Sequence, residues 1–94
     1  RSGWPENPSY VNLVAWCWRK GEEKYLVVIN LSHTTCQGRI HLPWADLKGR
    51  TSLLVDVING ERYERDGDEM LDQGLYVDLE AWGFHFLHWE GTVF

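Results

Sequence analysis

The sequence predicts an all-β fold, an antiparallel β-sandwich of Greek-key type with about seven or eight strands. Three observations predict it. Short apolar or alternating stretches recur along nearly the whole chain, separated by clusters of Gly, Pro, Asp and Asn. No long stretch carries the 3.6-residue apolar repeat of an amphipathic helix. Between two of the stretches stands Asn59-Gly60, the strongest short hairpin signal, because both central residues of a type I′ turn take positive φ.

The elements follow in order. Residues 1–10, with Pro5 and Pro8, read as a linker leading into a domain that occupies residues 11–94. Val11 to Trp18 ("VNLVAWCW") is a strand, and "RKGEEK" is a polar connection. Tyr25 to Leu31 ("YLVVINL") is a β-branched run. Cys36 to Leu42 sends Gly38, Ile40 and Leu42 one way and Gln37, Arg39 and His41 the other. "PWADLKGR" is a loop with room for one helical turn. Thr51 to Ile58 and Glu61 to Arg65 form the two arms of the Asn-Gly hairpin. "DGD" at Asp66 to Asp68 reads as a turn into a short segment near Met70. Leu75 to Leu79 and Phe84 to Trp89 close the fold.

The first two strands are apolar on both faces. In Val11 to Trp18, one face carries Val11, Leu13, Ala15 and Cys17 and the other Val14, Trp16 and Trp18. Tyr25, Val27, Ile29 and Leu31 oppose Leu26 and Val28 in the next. A sheet in a two-layer sandwich needs only one apolar face. The second is expected to pack on another domain or a partner, or to drive self-association when bare.

Composition narrows the function. Ninety-four residues make one domain. A chain this short buries only roughly 60–65% of its unfolded surface, which leaves little for a catalytic cleft. The sequence starts with Arg1, which suggests a fragment of a larger protein. A net charge of −5 speaks against nucleic acid, and no apolar run reaches the roughly 20 residues of a membrane span. Two cysteines, Cys17 and Cys36, are too few for a secreted disulfide framework, so buried thiols and a cytoplasmic setting are expected. The sequon Asn30-Leu31-Ser32 ends a strong strand and carries no weight.

The segments "YLVVINLS", "GRIHLPWADLKGR", "LLVDVINGERYERDGDEM" and "GLYVDLEAWGFHFL", in this order, resemble the C-terminal β-sandwich domain of α-amylase-family glycoside hydrolases. The resemblance covers Val11 to Trp89. In that family the domain follows a (β/α)8 catalytic barrel. Two features depart from the pattern: Val57 and Ile58 follow Asp56 where a Leu-Leu pair is common, and the last strand carries His85 and His88. The resemblance implies a non-catalytic accessory domain whose partner is the barrel of the same parent chain. The parent would act on α-glucans as a hydrolase or glucanotransferase, with its catalytic carboxylates outside this chain. A retaining glycosidase needs two carboxyl groups about 5 Å apart across a sugar site, and nothing here matches them.

Individual residues fit that expectation, with no catalytic, cofactor or metal site. Asp66, Asp68, Glu69 and Asp72 cluster in turns without the spacing of a calcium loop, and Asp78 and Glu80 read as the wet face of a strand. His33, Cys36 and His41 form no evident zinc set. His85 and His88, three apart on a strand, point to opposite faces. Six tryptophans are an excess. Trp16, Trp18, Trp44 and Trp82 are the candidates for carbohydrate or interdomain contact: the first two share a face, Trp44 lies in a loop where exposure is expected, and Trp82 marks the last bend.

Overall fold

The computed structural model describes residues 2–3 and 8–93, the last three of these as backbone only. Among the described residues, seven antiparallel strands form two sheets: β1 (Leu13–Lys20), β2 (Glu23–Asn30), β3 (Cys36–Ile40), β4 (Thr51–Asp56), β5 (Arg62–Asp66), β6 (Leu75–Leu79) and β7 (Phe84–Val93). The larger sheet has the order β1-β2-β7-β4-β5, and β3 pairs with β6 in the smaller one. The two layers enclose a core of Leu13, Leu26, Val28, Cys36, Leu54, Leu75, Val77, Leu79 and Leu87. The all-β sandwich expected from the sequence is the fold.

Strand alternation sets the layers. In β3, Cys36, Gly38 and Ile40 are buried, and in β6 Leu75, Val77 and Leu79 are, with Tyr76 and Asp78 exposed. Gly38 is tied to its place: a Cβ there would lie 2.7 Å from the Cβ of Tyr10 and 3.0 Å from a Leu13 methyl. The lead-in is more than a linker where it is described. Ser2 exchanges backbone hydrogen bonds with Arg39 at 2.8 and 2.7 Å, and Ser9–Asn12 form a 3-10 turn. The rest of the expected linker, Arg1 and residues 4–7, lies outside the described residues.

The turns differ in detail from the sequence reading. "RKGEEK" is a connection of only two residues, both strands continuing into it, with Lys20 opposite Glu23 and Gly21 at φ +60°. The Asn59-Gly60 hairpin forms, yet only Gly60 has positive φ (+77°). Its loop is four residues, closed by Asp56 N–H to the Glu61 carbonyl at 2.8 Å. The Asp56 carboxylate accepts from the N–H groups of Ile58 (2.9 Å) and Asn59 (3.3 Å), a local cap that replaces the type I′ geometry. Residues Gly67–Gln73 form a short helix, α1, where the sequence suggested a turn. Asp66 caps it by accepting from Asp68 N–H, and Met70 anchors it in the core. "PWADLKGR" contains the expected helical turn, Ala45–Leu47.

Candidate functional site

The larger sheet presents its second face to solvent. Cross-strand register puts Trp16 opposite Val27 and Val27 opposite Phe86; Trp18 faces Tyr25 and Tyr25 faces His88; Val14, Ile29 and Phe84 form a third row. Val55, opposite His88, extends the face onto β4. These side chains point away from the core because their neighbours Leu13, Ala15, Cys17, Leu26, Val28 and Leu87 point into it. Trp16 is 49% exposed, Trp18 40%, Val14 39% and Phe84 50%. An apolar surface three strands wide is thus unpaired within the domain, and the β5 end of the same face is charged, with Arg62 and Glu64.

One row of this face is a stack of rings. Trp18 and Tyr25 lie 5.1 Å apart at 13°, and Tyr25 and His88 4.7 Å apart at 22°. These separations match the spacing between neighbouring strands, so the rings stand face against face, with Trp18 at the open end on the edge strand β1. Phe86 meets both Trp18 and Tyr25 edge to face. Trp18 therefore contributes to an apolar ridge, with one ring face covered by Tyr25. At the end of the stack His88 Nε2 meets the Glu23 carboxylate.

The other two candidate tryptophans part company. Trp44 is 5% exposed, packed edge to face on Trp89 at 4.9 Å. That corrects the expectation of an exposed loop residue: the loop after β3 folds inward, and the indole closes one end of the core. Trp82 is 63% exposed at the turn between β6 and β7. Its φ of +58° is the single positive value at a non-glycine residue among those described. A left-handed backbone costs roughly 1–2 kcal/mol at such a residue. The structure holds it there through Trp82 N–H to the Ser32 carbonyl (3.1 Å) and Gly83 N–H to the Glu80 carbonyl (2.9 Å).

The remaining polar candidates take local partners or face solvent. His85 and His88 do face opposite sides. His85 Nδ1 lies 3.2 Å from the Asp56 carboxylate on the core side. Asp56 is 2% exposed. Burial alone would raise its carboxyl, but the Ile58 N–H, the His85 ring and the Asn59 N–H outweigh it and hold the pKa below the usual carboxylate value. Tyr63, edge-on to His85, is pushed up to about 12, chiefly by its hydrogen bond to the Glu61 carboxylate and then by burial. Asp46 bridges Lys24 and Arg19, which offset the effect of burial and lower its pKa. Asp66, the cap of α1, and Asp68, Glu69 and Asp72 along the helix are exposed. No group of three or more His, Cys, Asp or Glu among the described residues could hold a metal ion. Cys36 is buried, Cys17 half-buried with a pKa raised by burial, and both are free thiols.

Sequence reasoning missed Asn30 as a structural centre. It has no exposed surface. Its Nδ2 donates to the carbonyls of Thr34 (2.8 Å), Leu79 (3.1 Å) and Glu80 (3.0 Å), while its Oδ1 accepts from Ser32 N–H (3.0 Å). One amide thereby joins the end of β2 to the β2–β3 and β6–β7 turns, and it leaves no free side chain for a sugar. The signal was an amide closing a run of β-branched residues, where a solvent-facing strand end would carry any polar group.

A scan against protein-family models finds no match for the chain, and a search of curated proteins finds none.

Proposed function

We propose that this chain is a non-catalytic accessory domain of an α-amylase-like glycosidase or glucanotransferase acting on α-glucans. In this reading it packs on the (β/α)8 catalytic barrel of its parent chain and stabilises it. The observation that carries the proposal is the outer face of the larger sheet, with Val14, Trp16, Trp18 and Phe84 each 39–50% exposed. Monomeric proteins seldom leave a contiguous apolar face of this kind uncovered. The order of sequence segments supplies the identity of the cover.

The alternative, a module that holds α-glucan on exposed tryptophans, has less support. Trp44 is buried, and Tyr25 covers one face of the Trp18 ring.

The test is the reading frame upstream of Arg1 together with an activity assay. The frame is expected to encode a barrel with an Asp, Glu, Asp catalytic set, and the isolated chain is expected to leave starch and maltooligosaccharides intact. An upstream frame without such a barrel, or glucan hydrolysis by the chain alone, overturns the reading.

A further inference from the structure

Where the β1–β2 hairpin meets the end of the sandwich, a groove of about 240 Å³ opens between that hairpin, the segment Asp46 to Arg50 and the late part of β7. Its lining divides sharply between groups that have partners and groups that do not. The four carboxylates are all engaged: Asp46 by Lys24 and Arg19, Glu22 by Arg19, Glu23 by His88 and Glu90 by Arg62. The uncommitted groups are donors. Lys24, 7% exposed, has one carboxylate partner for its three ammonium N–H bonds. Ser52 is 3% exposed, and neither its hydroxyl nor the Arg50 guanidinium has a partner among the described residues. Trp89 contributes its ring to the groove wall; its indole N–H has no acceptor among them but is itself buried away from the open space.

Two conditions define what would fill this space. Spare donors require oxygen acceptors. The charge offers an anion no surplus to bind, because the four carboxylates balance Lys24, Arg50 and the flanking Arg19 and Arg62. A neutral ligand dense in acceptor oxygens meets both. The volume falls just below the ~300 Å³ at which pockets for drug-sized ligands begin, a size suited to one sugar ring. Leu47 and Trp89 supply an apolar wall for the C–H surface of such a ring.

We propose that this groove binds a single neutral sugar unit, with Lys24, Arg50 and Ser52 donating to its oxygens. Lys24 and Trp89 belong to the core side of the sheet, opposite Trp16 and Trp18, and the groove meets the outer face at His88 and its partner Glu23. Assigning the sugar to an α-glucan rests on the function proposed above; the preference for a neutral polyol does not.

The experiment is a titration of the 15N-labelled chain with maltose, cellobiose and inorganic phosphate, following the indole N–H resonances by NMR. Maltose is expected to shift the Trp89 resonance saturably at millimolar concentration while Trp16 and Trp18 stay in place. Arg50→Ala and Ser52→Ala are each expected to weaken binding about fivefold. Arg50 is exposed, so its variant keeps the fold, as an otherwise unchanged spectrum would verify. Saturation by cellobiose but not maltose retains the groove as a sugar site and overturns the α-glucan assignment. Shifts at Trp16 or Trp18 with Trp89 silent, tighter binding of phosphate than of either sugar, or no saturable shift with any ligand overturns the proposal.

Discussion

Asn30 and Asp56 are fully buried polar residues in a small core, and each is held by several partners rather than one. Asn30→Asp replaces a donor to three carbonyls with a carboxylate facing them. It is expected to cost about 3 kcal/mol or more, read as a lower urea midpoint at unchanged slope. Asn30→Ala, which only leaves the carbonyls unpaired, should cost less. Asp56 sets an acid limit. Its folded pKa lies below the unfolded value of roughly 3.9. The native state then binds fewer protons than the unfolded one between those two values, so the Asp56 contribution is full above about pH 4 and is lost as pH falls through the folded pKa. Asp46 acts in the same direction, more weakly because it is 38% exposed. Urea midpoints between neutral pH and pH 3 should therefore fall, and Asp56→Asn should flatten that fall while lowering the neutral-pH midpoint. At this scale alternation made most side-chain directions legible, including the opposed His85 and His88. Burial of Trp44 was not legible, since nothing local shows which way a loop folds.

The elements show where local signals stop. The Asn59-Gly60 pair located its hairpin, yet the loop type came from Asp56, three residues before the pair, whose side chain captures two loop N–H groups. Helix α1 escaped the sequence reading for a different reason. Seven residues make two turns, too few to display an apolar period, and Gly67 at its first position looks like a turn residue. Its glycine answers a contact far away in sequence. A Cβ on Gly67 would lie 1.9 Å from the Leu47 carbonyl oxygen and 2.7 Å from that of Arg50, which accepts the Gly67 N–H. Gly67→Ala is expected to destabilise the domain by about 2–3 kcal/mol, because backbone on both sides must shift. A thermal melt unchanged in this variant would mean that the close approach is not kept in solution. By contrast, Gly21 has open space around its Cβ position, so alanine there is limited by its φ of +60° alone.

At the scale of the whole molecule, the apolar content of β1 and β2 predicted a sheet needing covers on two sides, and the larger sheet has that character. The sheet order was beyond the sequence: β7 lies between β2 and β4, a pairing set by which strands bury together rather than by any turn. So was the division into five strands and two, which leaves the smaller sheet to cover one face only. The central claim is that a catalytic barrel in the parent chain covers the other face. Side-chain footprinting by hydroxyl radicals tests it directly, comparing the free chain with the intact parent. Trp44, buried in the domain, should stay unreactive in both, and Trp82, exposed at the β6–β7 turn, should stay reactive in both. Trp16 and Trp18 should be oxidised in the free chain and protected in the parent. Equal oxidation of Trp16 and Trp18 in the two would contradict the account.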